Sequence, residues 1–112
     1  MNEFQMMAGA PPKKGPYEVQ AAADGSLPFV SEGTLTTNTT ININAGLSAN
    51  AKNVFLINDG SNTLTYKISV DGTTFSDAIT LKTDEYKVYR RDIHSIQLIH
   101  SSNTDYRIEA YA

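Results

Sequence analysis

From about residue 29 onward the apolar residues recur at every second position, the period of half-buried strands and not of helices. Leu35, Ile41 and Ile43 fall on odd positions, while Thr36, Asn38, Thr40, Asn42 and Asn44 fall between them, which predicts one long strand with a dry face and a wet face. After Gly46, the run Val54-Phe55-Leu56-Ile57 breaks the alternation with four consecutive apolar residues. A strand covered on both faces, or one crossing between sheets, accounts for such a run and makes it the central strand. The turn-forming Asn58-Asp59-Gly60-Ser61-Asn62 leads into Leu64-Thr65-Tyr66-Lys67-Ile68-Ser69-Val70, apolar at even positions, and the two segments read as a hairpin. Asp71-Gly72 turns the chain into Thr73-Thr74-Phe75 and then Ala78-Ile79-Thr80-Leu81-Lys82; an acidic turn at Thr83-Asp84-Glu85 precedes a strand at 86–90. Two further strands, 93–99 and 106–111, flank the turn-rich Ser101-Ser102-Asn103-Thr104-Asp105. The only helical candidate is the short Leu47-Ser48-Ala49-Asn50-Ala51.

Short strands at this spacing define an all-β chain, a small antiparallel β-sandwich of jelly-roll or Ig-like type, occupying residues 29–112. Residues 1–28 have another character. Gly9-Ala10-Pro11-Pro12-Lys13-Lys14-Gly15-Pro16 restricts several φ angles and removes amide donors, so it reads as an extended N-terminal arm. Tyr17-Glu18-Val19-Gln20-Ala21 alternates as a short strand would, before Asp24-Gly25-Ser26-Leu27-Pro28 breaks the chain again. Phe4, Met6, Met7, Pro11, Pro12, Lys13, Lys14 and Tyr17 are the arm residues expected to contact a protein partner.

Composition narrows the function more by exclusion than by assertion. A net charge of −3 without clustered Lys and Arg lacks the electrostatic footprint of a nucleic-acid binder. With no cysteine, disulfides, thiolate nucleophiles and cysteine-based zinc sites are excluded together. The acidic Met1-Asn2-Glu3 start is unlike a secretion signal, and no apolar stretch approaches the ~20 residues that cross a bilayer as a helix. The expectation is a soluble protein made in a cytoplasm, with neither membrane nor nucleic acid among its partners.

The candidate chemistry reads as structural. His94 and His100 share a parity but stand about 20 Å apart at strand rise, too far for one metal ion, and no serine or cysteine motif accompanies either. Asp59, Asp71, Asp77, Asp84 and Asp105 lie beside Gly, Ser, Thr or Asn, where a short carboxylate caps turn amides. The run 58–62 lacks the alternating ligands and downstream Glu of a calcium loop. These readings predict no enzyme and no cofactor. Tyr66 and Tyr106 share parity with core positions, which leaves Tyr89 and Tyr111 as the better exposed tyrosines, able to stack on a sugar. Lys87, Tyr89 and Arg91 on one strand face make a polar-aromatic patch, either a protein interface or a charged edge guarded against aggregation.

Three stretches carry a family likeness: Asn53-Val54-Phe55-Leu56-Ile57-Asn58-Asp59-Gly60, Tyr66-Lys67-Ile68-Ser69-Val70-Asp71-Gly72-Thr73-Thr74-Phe75-Ser76 and His94-Ser95-Ile96-Gln97-Leu98-Ile99. From Asn53 to the C-terminus the chain resembles small β-sandwich virion proteins of tailed phages. That resemblance implies a capsid decoration (cement), head-fibre or head-tail joining component, with tail or baseplate positions as alternatives. Its arm would dock on major capsid or other virion proteins, its sandwich would project or plug a gap, and self-association into a homo-oligomer would be expected. A carbohydrate-binding or receptor-adhesion module is the alternative function.

Overall fold

The computed structural model describes residues 27–112. The arm positions singled out above, Phe4 to Tyr17, and the short strand at 17–21 lie outside the described residues. Eight strands follow: β1 (Phe29–Leu35), β2 (Thr39–Asn42), β3 (Asn53–Asn58), β4 (Leu64–Ser69), β5 (Ile79–Leu81), β6 (Tyr86–Tyr89), β7 (Ser95–Ile99) and β8 (Thr104–Tyr111), with one short helix, α1 (Ile43–Leu47), between β2 and β3.

They form two four-stranded antiparallel sheets, ordered β1-β8-β3-β6 and β2-β7-β4-β5. The pairing is nested, first strand with last, second with seventh, third with sixth and fourth with fifth. A long hairpin rolled over on itself produces that order, so the sandwich is a jelly roll and not the Ig-like alternative. Inward positions of both sheets supply the core: Val54, Leu56, Ile108 and Ala110 from one, Ile41, Leu64, Tyr66, Ile96 and Leu98 from the other, all buried. β3 is an interior strand with partners on both sides, as its apolar run predicts.

Three sequence expectations change. The long strand from Leu35 to Asn44 is broken at Thr36-Thr37-Asn38, because Leu35 pairs with Thr104 in one sheet and Thr39 with Leu98 in the other. The parity nevertheless holds, since Leu35, Ile41 and Ile43 are all buried. Second, the helical turn starts at Ile43 and not at Leu47: the Asn42 side chain accepts from the Ala45 amide at 2.9 Å and starts the helix there. Third, β3 and β4 are not a hairpin. The 58–62 connection carries the chain from one sheet to the other, as do all the connections between consecutive strands except β4 to β5.

Candidate functional site

The crossover at 58–62 is built around Asn58, a wholly buried polar side chain at the end of β3. Its Nδ2 donates to the carbonyls of Asn62 (2.7 Å) and Leu81 (3.0 Å), and its Oδ1 accepts from the Gly60 amide (3.0 Å) and the Thr104 hydroxyl (2.8 Å). All four hydrogen-bonding positions of the amide are used, so one side chain ties β3, its own loop, β5 and β8 together. Sequence reading took Asn58 as a turn former; its inward parity with Val54 and Leu56 was the available signal.

Asp59, next in the loop, points the other way and lies 3.5 Å from Arg107 of β8. Arg107 stands opposite Glu32 of β1, and Thr34 donates to Asp105 at 2.6 Å. These residues border an open groove of about 450 Å³ lined by Glu32, Gly33, Thr34, Asp59, Asp105 and Tyr106. Three carboxylates against one nearby guanidinium make it acidic. Because β1 and β8 come from opposite ends of the described chain, sequence patterning sees Asp59 and Asp105 only as turn acids.

The polar-aromatic patch is only partly assembled. Lys87 and Tyr89 share the inward side of β6, an edge of its sheet among the described strands, with Lys87 Nζ 5.7 Å from the Tyr89 ring centroid. Arg91 lies beyond the end of β6, and Tyr111 belongs to the opposite face of the same sheet, as its pairing with Asn53 shows. Neither tyrosine is the exposed platform that alternation predicts. Tyr111 is buried, and Tyr89 is half-buried with its hydroxyl 2.7 Å from that of Tyr66. The two rings meet edge to face at 6.5 Å, joining one sheet to the other. Burial, helped by the Tyr89 hydrogen bond, pushes the Tyr66 hydroxyl far above the usual phenol range.

This contact should be asymmetric under mutation. Tyr89→Phe strands the buried Tyr66 hydroxyl and should cost about 2 kcal/mol, whereas Tyr66→Phe leaves the half-buried Tyr89 hydroxyl able to reach water and should cost about 1 kcal/mol. Urea unfolding of both variants checks the order, which would reverse if the Tyr66 hydroxyl had another partner.

The histidines and turn acids have local roles. His94 Nδ1 sits 2.7 Å from Ser95 Oγ with its ring against Gly72, and His100 Nε2 sits 2.8 Å from Asn103 Oδ1. Asp71 Oδ1 accepts from the amides of Thr74 and Thr73 and from Ser69 Oγ. Those bonds, that from Thr74 foremost, hold its carboxyl well below the ordinary carboxylate range. Among the described residues no three His, Cys, Asp or Glu side chains converge as a metal site, and no helix is long and apolar enough to cross a membrane.

Fold and side-chain geometry together define a small jelly-roll module with an internally tied crossover and an acidic groove along one sheet. Compared with known protein families, curated proteins and solved structures, the chain matches none.

Proposed function

We propose that this chain is a non-enzymatic structural protein of a phage virion, a capsid decoration or other head-associated component held in place by its N-terminal arm. The observation that carries the reading is the placement of β1: it is an edge strand, and it begins at Phe29 immediately after the breaker 24–28. The arm residues therefore precede a strand at the margin of the described eight-stranded domain, which suits a module with a tether. Jelly rolls recur among viral capsid domains and also among lectins, so the fold supports the reading by analogy only. Against the sugar-binding alternative, the Tyr89 hydroxyl is engaged by Tyr66 and Tyr111 is buried.

On this reading the protein is made in the host cytoplasm and resides on the particle, with major capsid or other virion proteins as partners. Among the described strands, β1 and β6 in one sheet and β2 and β5 in the other are edges, the kind of surface that neighbours or further copies of the chain would cover. Deleting residues 1–16 should abolish incorporation into particles while the circular dichroism spectrum and thermal midpoint of the domain stay unchanged. Undiminished incorporation would remove the arm's docking role.

A further inference from the structure

From Gly33 to Ala51 no residue carries a charge, the longest such run in the chain. The run holds β2, the turn before it and α1 after it. Strand order makes β2 an edge: β7 pairs with one side of it, and no described strand pairs with the other. Every second residue of such a strand turns its amide and carbonyl outward, where a further strand can take them up.

Edges are ordinarily guarded by charge, proline, a bulge or shortness. The other described edges follow that rule. β1 carries Glu32 at its centre, β6 carries Lys87 and runs on to Arg90 and Arg91, and β5 is three residues long with Asp77 before it and Lys82 after it. β2, Thr39-Thr40-Ile41-Asn42, has no guard beyond its own four-residue length, and its neighbour β7 is uncharged too. The strand is also held at both ends. Asn38 Oδ1 accepts from the His100 amide (2.7 Å) and Thr39 Oγ1 donates to the Thr37 carbonyl (2.9 Å) before it, and the Asn42 side chain starts α1 behind it. An edge fixed in this way loses little conformational freedom when a strand adds to it.

We propose that β2 is the self-association surface of this protein: two copies meet edge to edge, antiparallel about a two-fold axis, and join their β2-β7-β4-β5 sheets into one. Charge selects the occupant. A two-fold axis sets an edge residue near its own copy, so pairing through β1 would bring Glu32 to Glu32 and pairing through β6 would bring Lys87 to Lys87, like charges that repel. Through β2 only hydroxyls, an amide and an isoleucine meet. Hydroxyls and amides both donate and accept, so the strand complements itself. Thr40 and Asn42 point outward and Ile41 inward. Of the registers that keep outward side chains together, those with the most pairs set either Thr40 or Ile41 opposite its own copy. The contact is short, so the dimer dissociates on dilution and is strengthened wherever copies are gathered at high local concentration. The inference stands apart from the virion reading, since failure of the 1–16 deletion to affect incorporation would leave a β2 dimer untouched.

Sedimentation equilibrium of the full chain from about 10 µM to 1 mM should show monomer and dimer in exchange. Thr40→Lys, on the exposed outward side of the edge, should weaken the dimer by about tenfold or more. Thr80→Lys, equally exposed and outward on β5, should leave it unchanged. An equimolar mixture of Thr40→Lys and Thr40→Glu should associate again, because the axis then sets opposite charges side by side, a recovery that misfolded variants could not give. A chain that stays monomeric throughout that range overturns the proposal and leaves the edge to a strand of another protein. A dimer indifferent to Thr40→Lys, or one that the mixture does not restore, overturns it as well.

Discussion

Asn58→Ala should destabilise the domain by about 3–5 kcal/mol, a large part of the stability that a domain of this size has to lose. The substitution removes two donors from the carbonyls of Asn62 and Leu81 and the acceptor of the Gly60 amide, and leaves a cavity where the carboxamide stood. Thr104 and the Asn62 carbonyl keep each other, because the Thr104 hydroxyl also donates to that carbonyl at 2.9 Å; the Leu81 carbonyl and the Gly60 amide lose the partner that Asn58 gave them. Urea unfolding should show a lower midpoint with the slope unchanged; a loss below about 1 kcal/mol would show that the crossover closes without the amide.

Asn58→Asp gives the same argument a pH axis. A carboxyl introduced there faces two carbonyl oxygens in a dry site, so its folded-state pKa lies above the unfolded value of about 3.9. Protonated, it supplies one donor and resembles the amide. The variant should therefore be least destabilised below the unfolded pKa and lose further stability as the pH rises toward the folded one, the sign expected for a carboxyl that folding raises. A pH-independent penalty would mean that the loop opens and hydrates the carboxylate.

Gly60→Ala is the second large effect, at about 2–3 kcal/mol for overpacking. A Cβ on Gly60 would stand 2.0 Å from Thr104 Oγ1, 2.4 Å from the Asp105 amide nitrogen and 2.8 Å from Thr104 Cα. Two of those atoms are backbone of β8, where the Asp59 amide already donates to the Asp105 carbonyl at 2.9 Å, so the loop cannot lift without losing that bond. The glycine is required by close approach and not by a left-handed φ, which among the described glycines Gly72 shows at 84°. Gly46→Ala is the natural control: its Cβ would meet the Phe29 ring at 2.2 Å, but a half-buried ring can rotate away where a strand cannot. Thermal unfolding should rank Gly60→Ala well below Gly46→Ala. Because Gly60 and Asn58 share the Thr104 contact, the double variant should lose less than the two single losses added.

The crossover also shows where patterning stops being informative. Asn58-Asp59-Gly60-Ser61-Asn62 has the composition of a hairpin turn, and local chemistry cannot tell a turn that returns within a sheet from one that passes to the next sheet. What separates them is the partner of the following strand: β4 pairs with β7 and β5, and β3 with β8 and β6. The same limit broke the expected strand at Thr36-Thr37-Asn38, where an unbroken alternation hides a change of sheet.

Burial parity, by contrast, was legible along most of the strands. Leu35, Ile41, Ile43, Leu64, Tyr66, Ile96, Leu98 and Ile108 are inside, as a period of two requires, because side-chain direction along a strand depends only on the backbone pleat. Parity failed at Tyr111, buried on the outer face, and at Val70, 46% exposed past the end of β4, because depth depends on what surrounds a residue and not only on which way it points.

The sequence by itself therefore determined the all-β class and most of the inward set of side chains, since both follow from local chemistry and the two-residue period. Only the tertiary structure decided the jelly-roll order, the pairing of Glu32 with Arg107 and of Thr34 with Asp105, the Tyr66–Tyr89 contact between sheets and the fourfold use of Asn58. Each of those joins residues distant in the chain, and long-range pairing is selected by the free energy of the whole packed sandwich, to which no single segment holds the key.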